Sequence, residues 1–355
     1  VPLGSAFPSP LLYPLARLAQ YLGKAARQMD PWKTVEDLSP GSAELRRQIA
    51  KRYSAHGVRV LPDDIVITSG ALEALNLCLE AVTQRGDVVA IESPCWYGAL
   101  QAIERLGLRA VQIATDPVEG IDLASLEAAI RKQGVKACWL MPTFQNPTGA
   151  LMPDEKKKAL VTLLAKHGIP MFEDDVYAEL HFGRNRPLPA KAFDRDGLVL
   201  HCGSFSKSLA PGYRIGWCVP GKFMRKVERL KLTTSIATSI PVQEGIADYL
   251  GSGGYDHHLR GLRKALESQQ REVIRVIREE FPPGTRVTRP SGGYFCWVEM
   301  PKGTDALKLH RSAIGKGITI APGPIFAPAR QYANCMRINT GNQWSVEAIR
   351  ALALG

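Results

Sequence analysis

From residue 64 to residue 219, short apolar runs alternate with stretches in which apolar side chains recur every three or four positions. The runs Asp64–Thr68, Val88–Ile91, Arg109–Ala114, Lys136–Met141, Ile169–Phe172, Leu198–Cys202 and Ile215–Val219 have the length and the β-branched or bulky content of buried strands. Ala71–Val82 has the period of a helix that turns Leu72, Leu75, Leu79 and Val82 inward. Leu123–Lys132 and Asp154–His167 repeat that pattern between later strands. Such alternation predicts an α/β fold of three layers, a largely parallel sheet with helices on both faces.

The flanks differ. Residues 1–40 are rich in proline and aromatics, with a short helical stretch from Leu15 to Arg27, and read as an arm that packs on a neighbouring unit. Ser42–His56 spaces Leu45, Ile49 and Tyr53 at a helical period, and Gly57 stops it. From Val242 the pattern changes: a long helix from Tyr255 to Glu280 ends at Phe281-Pro282-Pro283-Gly284, and Tyr294–Val298 is the clearest strand beyond it. The expected organisation is an arm over 1–45 that joins the small domain, a large domain over 46–250, and a smaller α+β domain over 251–355.

With 355 residues and 45% hydrophobic content, the chain buries a core large enough for two domains. No apolar run reaches the roughly 18 residues of a membrane span. Seven cysteines without a Cys-x-x-Cys pair suit reduced thiols in a cytoplasm better than a disulfide framework or a zinc site. The chain starts at Val1 with nothing like a signal peptide, as expected of a fragment whose native N-terminus is missing. A net charge of +11 favours anionic ligands, but the basic runs Arg46–Arg52 and Lys222–Lys231 read as solvated helix faces. No direct contact of this segment with nucleic acid is expected.

The chemistry concentrates between two strands, in Ser204-Phe205-Ser206-Lys207-Ser208-Leu209-Ala210-Pro211-Gly212-Tyr213-Arg214. A lysine between buried strands is partly desolvated, which lowers its pKa toward a free, nucleophilic amine. Arg214 and the hydroxyls of Ser204 and Ser206 suit a phosphate beside that amine. The combination suggests a Schiff-base lysine holding pyridoxal 5′-phosphate (PLP). A lone loop lysine is more often a solvated charge. Ser204-x-x-Lys207 also matches the nucleophile pattern of penicillin-binding enzymes, but the Ser-Asp-Asn and Lys-Thr-Gly partners of that pattern are missing.

Ligands of open parallel sheets collect at the carboxyl ends of the strands, and polar motifs sit at those ends here. Ser69-Gly70-Ala71 opens a helix and offers an anion site. Trp96 and Tyr97 follow the second strand, where an aromatic ring could stack on a flat heterocycle. Asn146, in Asn146-Pro147-Thr148-Gly149, offers a carboxamide at the end of the fourth. Glu173-Asp174-Asp175-Val176-Tyr177 follows the fifth and suits a cation or a protonated base. A carboxylate about 4 Å from such a base at an effective dielectric of 20 is worth roughly 4 kcal/mol, enough to keep a pyridine nitrogen protonated. No metal is expected.

These motifs resemble the fold type I, aspartate-aminotransferase-like PLP enzymes, in the family's order over nearly the whole chain. The resemblance implies that Lys207 bonds the cofactor and later shuttles a proton between the substrate Cα and the cofactor. Asp174 would pair with the pyridine nitrogen, while Asn146 and Tyr177 would hydrogen-bond the phenolic oxygen. Trp96 would stack on the ring, with Tyr97 the second candidate. Ser69, Gly70, Ala71, Ser204, Ser206 and Arg214 would hold the phosphate. Arg337, in Cys335-Met336-Arg337-Ile338-Asn339, resembles the arginine that grips the substrate α-carboxylate, with Asn146 beside it. The family's sites lie at a dimer interface, which implies a homodimer. In one departure, Thr34-Val35-Glu36-Asp37-Leu38 lacks the tyrosine that many relatives send to the neighbouring subunit's phosphate.

A finer resemblance, carried by Leu38–Arg46, Glu173-Asp174-Asp175 and His258–Arg263, is to the MocR-type branch of GntR-family regulators. There an N-terminal winged helix-turn-helix precedes an aminotransferase-like domain that senses an effector. The expected function is therefore transamination between an amino acid and a 2-oxo acid. The alternative is an effector sensor that reaches DNA only through a missing N-terminal domain. Other fold type I chemistry, such as β-elimination or decarboxylation, would use the same cofactor residues.

Overall fold

The computed structural model describes residues 1–36, 38–329, 331–342 and 345–353. Asp37, in the segment without a tyrosine, lies outside the described residues. Among the described residues, twelve strands form two sheets. The large sheet contains β1 (Val66–Thr68), β2 (Val88–Ser93), β3 (Arg109–Asp116), β4 (Gly120–Ile121), β5 (Val135–Leu140), β6 (Met171–Asp174), β7 (Val199–Ser204) and β8 (Gly216–Val219). Their order is β1-β8-β7-β6-β5-β2-β3-β4. The small sheet, β11-β12-β10-β9, contains β9 (Arg286–Val287), β10 (Phe295–Glu299), β11 (Ala321–Pro322) and β12 (Cys335–Asn339), all antiparallel.

The large sheet is mixed. From β7 through β6, β5 and β2 to β3 the neighbours are parallel, while β8 runs antiparallel to both β7 and β1, and β4 antiparallel to β3. The reversal at β8 has a local cause: residues 205–215 contain only a short 3₁₀ turn, Pro211–Tyr213. A parallel return needs a crossover of a dozen or more residues, usually helical.

The α-helices are α1 (Leu15–Gln28), α2 (Lys33–Glu36), α3 (Ala43–Ala55), α4 (Ala71–Val82), α5 (Tyr97–Arg105), α6 (Leu123–Gln133), α7 (Asp154–His167), α8 (Met224–Ser235), α9 (Ile240–Gly251), α10 (Gly254–Glu280), α11 (Ala306–Gly315) and α12 (Ser345–Ala353). Side chains of β2 separate by parity. Val89 and Ile91 pack with Leu75 and Leu79 of α4, whereas Val88 and Ala90 pack with Leu126 of α6 and Leu160 of α7. Each fully buried Leu or Ile contributes about 1.5–3 kcal/mol, and both sheet faces are covered in this way.

Helix α10 spans both sheets' cores. Tyr255, Leu259 and Leu262 pack with Phe205 and Phe144 beside the large sheet; Val273 and Ile277 pack with Val298 and Ile338 of the small one. At 1.5 Å per residue its 27 residues reach about 40 Å. Leu3 is buried in the small-sheet core, and Pro2 bridges Thr319. Leu18 of α1 and Leu45 of α3 join the other core. Among the described residues no helix is long and apolar enough to cross a membrane.

Two expected orientations are corrected. Leu72 does not turn inward: it is 45% exposed, because the first turn of α4 projects past the end of β1 to the rim of a cavity that it lines. Lys231 is not on a solvated face: α8 packs its last turns against α4, and the ammonium is enclosed with Glu73.

Candidate active site

The turn after β7 is fixed by its apolar members. Phe205 and Leu209 are buried, the Phe205 N–H donates to Ile215 O at 3.0 Å, and the N–H groups of Leu209 and Ala210 both donate to Phe205 O. Lys207 is thereby held over a cavity of about 240 Å³ that Asp174, Asn146, Tyr177, Trp96 and Arg214 also line. Its Nζ donates to Ala6 O at 2.8 Å and sits 3.7 Å from the centre of the Phe7 ring. Burial pushes the ammonium down to about 7, helped by Arg337 and Arg214 and opposed by Asp174.

Asp174 ends β6 and is 2% exposed, and its Oδ1 has no hydrogen-bond partner. Burial, with Asp175 adding, pushes it up to about 7. The neighbouring acids are occupied otherwise. Asp175 accepts from Arg186 at 2.8 Å and pairs with His201 Nε2 at 3.0 Å, while Glu173 accepts the N–H groups of Ala190 and Lys191. Glu173, Asp175 and His201 bring possible ligand atoms within 4.8 Å of one another, but Arg186 already supplies the cation there.

A second group of residues forms an anion cup. Gly70 has a positive φ of 89°, and a Cβ there would lie 2.4 Å from Arg214 Nη2, so only glycine fits. Arg214 is itself left-handed, φ 52°, after the Pro211–Tyr213 turn. That strained backbone returns its guanidinium to Ser206 Oγ and Ser69 O, each at 3.2 Å. Ser204 Oγ accepts the Ser206 N–H at 2.9 Å. Helix α4 begins at Gly70 without a side-chain cap, which leaves first-turn N–H groups and the helix dipole for an anion. Ser69, Gly70, Ala71, Ser204, Ser206 and Arg214 are thus brought to one place.

Arg337, from the centre of β12, is fully buried and donates to Asn146 Oδ1 at 2.9 Å. Its other terminal nitrogen donates to Gly4 O at 2.6 Å and Ser5 O at 3.2 Å, and Phe295 lies 4.1 Å from its centre. Burial pushes the Tyr177 hydroxyl well above its ordinary range, opposed by Arg337. Its ring meets Tyr294 and Phe295 edge-on. Trp96 lies against Gly98, where a Cβ would be 2.4 Å from the indole, and borders Tyr97.

Sequence reasoning expected a docking arm but missed its place in the site. Ala6 and Phe7 line the cavity, Tyr294 donates to Ala6 O, and Asn339 donates to Ser5 O and Phe7 O. The proline- and aromatic-rich composition signalled docking, but nothing local could name Lys207 and Arg337 as the acceptors' partners.

A model of the aminotransferase class I and II family matches residues 23–353. The chain is 48% identical, over 97% of its length and 74% of the relative's, to the uncharacterized HTH-type transcriptional regulator YdcR of Escherichia coli. It is 31% identical to aromatic-amino-acid aminotransferase 1 of Thermococcus litoralis, over 96% and 83% of the two chains. Among solved structures it is similar to the kynurenine aminotransferase of Pyrococcus horikoshii, solved in complex with PMP, KYN and KYA. The TM-score is 0.90 at 32% identity, over 100% of this chain and 90% of that one.

Proposed function

The chain belongs to the class I and II aminotransferase family, and from that premise we propose that it binds PLP at Lys207 and moves an amino group between an amino acid and a 2-oxo acid. The observation that carries this reading is the unpartnered, buried Asp174 Oδ1 on the same cavity as a lysine whose ammonium burial has destabilised. A protonated pyridine nitrogen would satisfy that oxygen, and the cup at Ser69, Gly70, Ala71, Ser204, Ser206 and Arg214 fits a phosphate. When bound, PLP supplies an electron-withdrawing ring that stabilises negative charge at the substrate Cα.

The protein's own groups do the rest. Lys207, about half neutral near pH 7, takes the proton from the substrate Cα and returns it. Asp174 would keep the proton on the ring nitrogen, Tyr177 and Asn146 would orient the phenolic oxygen, and Trp96 would stack on the ring. Arg337, with Asn146, holds the α-carboxylate through its planar fork. The test is to reduce the PLP-loaded protein with borohydride, map the labelled peptide, and assay a panel of amino acids for 2-oxo acid formation. Label on another lysine, or none, would sink the assignment.

A second reading is favoured by the 48% identity to a protein named as a transcriptional regulator: the same site senses an amino-acid effector and catalysis is incidental. An upstream reading frame of a helix-turn-helix, with binding but no turnover across the panel, decides for it. In either case a homodimer is proposed; Phe7 and Leu72, apolar and exposed at the cavity, support a second copy covering the mouth. Sedimentation of the purified chain tests this.

A further inference from the structure

Lys231, one of the two buried residues of α8, meets the anion cup from behind. Lys231 is 1% exposed, and its three ammonium protons meet three acceptors: Glu73 Oε2 at 2.9 Å, Ser235 Oγ at 2.8 Å and Thr238 Oγ1 at 3.1 Å. Glu73, in the first turn of α4, uses the same Oε2 to accept the Ser69 N–H at 2.6 Å, while its Oε1 accepts from Ser235 Oγ at 2.6 Å. Thr238 Oγ1 lies 3.4 Å from Ser69 Oγ. The Ser69 turn is therefore held at its N–H by Glu73, at its hydroxyl by Thr238, and at its carbonyl by Arg214.

A carboxylate bonded to an anion-binding turn opposes the anion unless its charge is cancelled. We infer that Glu73 and Lys231 are positioning residues of the phosphate cup: Glu73 fixes the Ser69-Gly70 turn, and Lys231 neutralises Glu73 so that the turn accepts a phosphate. The inference rests on the PLP reading above. A pair that merely braced α4 against α8 would affect ligands with and without a phosphate alike.

That difference defines the experiment. Dissociation constants for PLP and for pyridoxal, which lacks the phosphate, are measured by protein fluorescence quenching on the full chain, Lys231→Met, Glu73→Gln and the double variant. Pyridoxal binding is expected to be the same in all four. PLP binding weakens about tenfold or more in Lys231→Met, the scale on which loss of a supporting partner weakens a bound group. It recovers in the double variant, where no unpaired carboxylate remains. Glu73→Gln, which keeps an acceptor for Ser69 and removes the anion, retains the preference for PLP over pyridoxal, and this arm stands even if Lys231→Met fails to fold. Parallel losses for both ligands, a double variant no better than Lys231→Met, or a selective loss of PLP in Glu73→Gln would overturn the inference. A wild-type chain that binds neither ligand would instead overturn the PLP reading.

Discussion

Lys207 and Asp174 line one cavity, and burial brings them from opposite directions to the same value, about 7. The ammonium loses hydration and has Arg337 and Arg214 against it; the carboxylate loses hydration and has Asp175 against it. Each charge opposes the other's shift without cancelling it. Near neutral pH the cavity thus holds an amine that is easily freed and an acid that is easily ionised.

Capture of PLP should follow the Lys207 amine. Its neutral fraction rises from about a tenth at pH 6 to about nine-tenths at pH 8 and then levels. Stopped-flow absorbance should show the bimolecular rate rising about tenfold over that interval and flattening above it. A rate that keeps climbing tenfold per unit to pH 9 would mean an ordinary lysine.

Asp174→Asn removes the anion while keeping the shape. An interaction of roughly 4 kcal/mol corresponds to about a thousandfold in rate. Single-turnover conversion of an amino acid should fall by about that factor, with PLP affinity changing less than tenfold. Comparable losses in both would assign Asp174 to binding alone.

Arg337→Lys replaces a planar fork by a point charge. Charge-assisted hydrogen bonds are worth about 1.5–3 kcal/mol each, so kcat/KM for the amino acid should drop about tenfold to a hundredfold. PLP affinity should be nearly unaffected. Unchanged kcat/KM would remove Arg337 from substrate binding.

Glu92, buried in β2 and accepting the Met141 N–H at 3.1 Å, is pushed up to about 8 by burial, with Asp174 adding. Its value in the folded chain lies above the unfolded one, near 4.5. Its contribution is therefore full below about pH 4.5 and is lost as pH rises toward 8. Glu92→Gln removes the titration, so its melting temperature should gain on wild type at pH 8 relative to pH 5. A constant difference between the two curves would refute this.

Much of the site was legible because it is local. Lys207, Arg214 and the Ser-Gly turn at 69–70 each sit within a few residues of a strand end, and a parallel sheet gathers its strand ends without long-range detail. Asp174, Asn146 and Arg337 were legible as motifs, and Asn146 was expected beside Arg337, but the arm's part in the site was not. The two arm carbonyls on Arg337 come from the far end of the chain, more than three hundred residues away, and that Asp174 Oδ1 is left without a donor is a fact of tertiary packing. Lys231 misled because a basic run looks solvated until the helix that packs on it is known. Leu72 misled because periodicity gives a helix a face but not the point where the sheet beneath it ends.

The arm has a thermodynamic consequence. Gly4 and Ser5 carbonyls take one terminal nitrogen of Arg337, Ala6 O takes the Lys207 amine, and Leu3 anchors the segment in the small-sheet core. A carboxylate that claimed both nitrogens of that fork would compete with the arm. Filling the cavity and seating residues 3–7 would then carry an unfavourable coupling that is equal in both directions. A mutation that unseats the arm, far from any ligand atom, would tighten whatever the guanidinium holds.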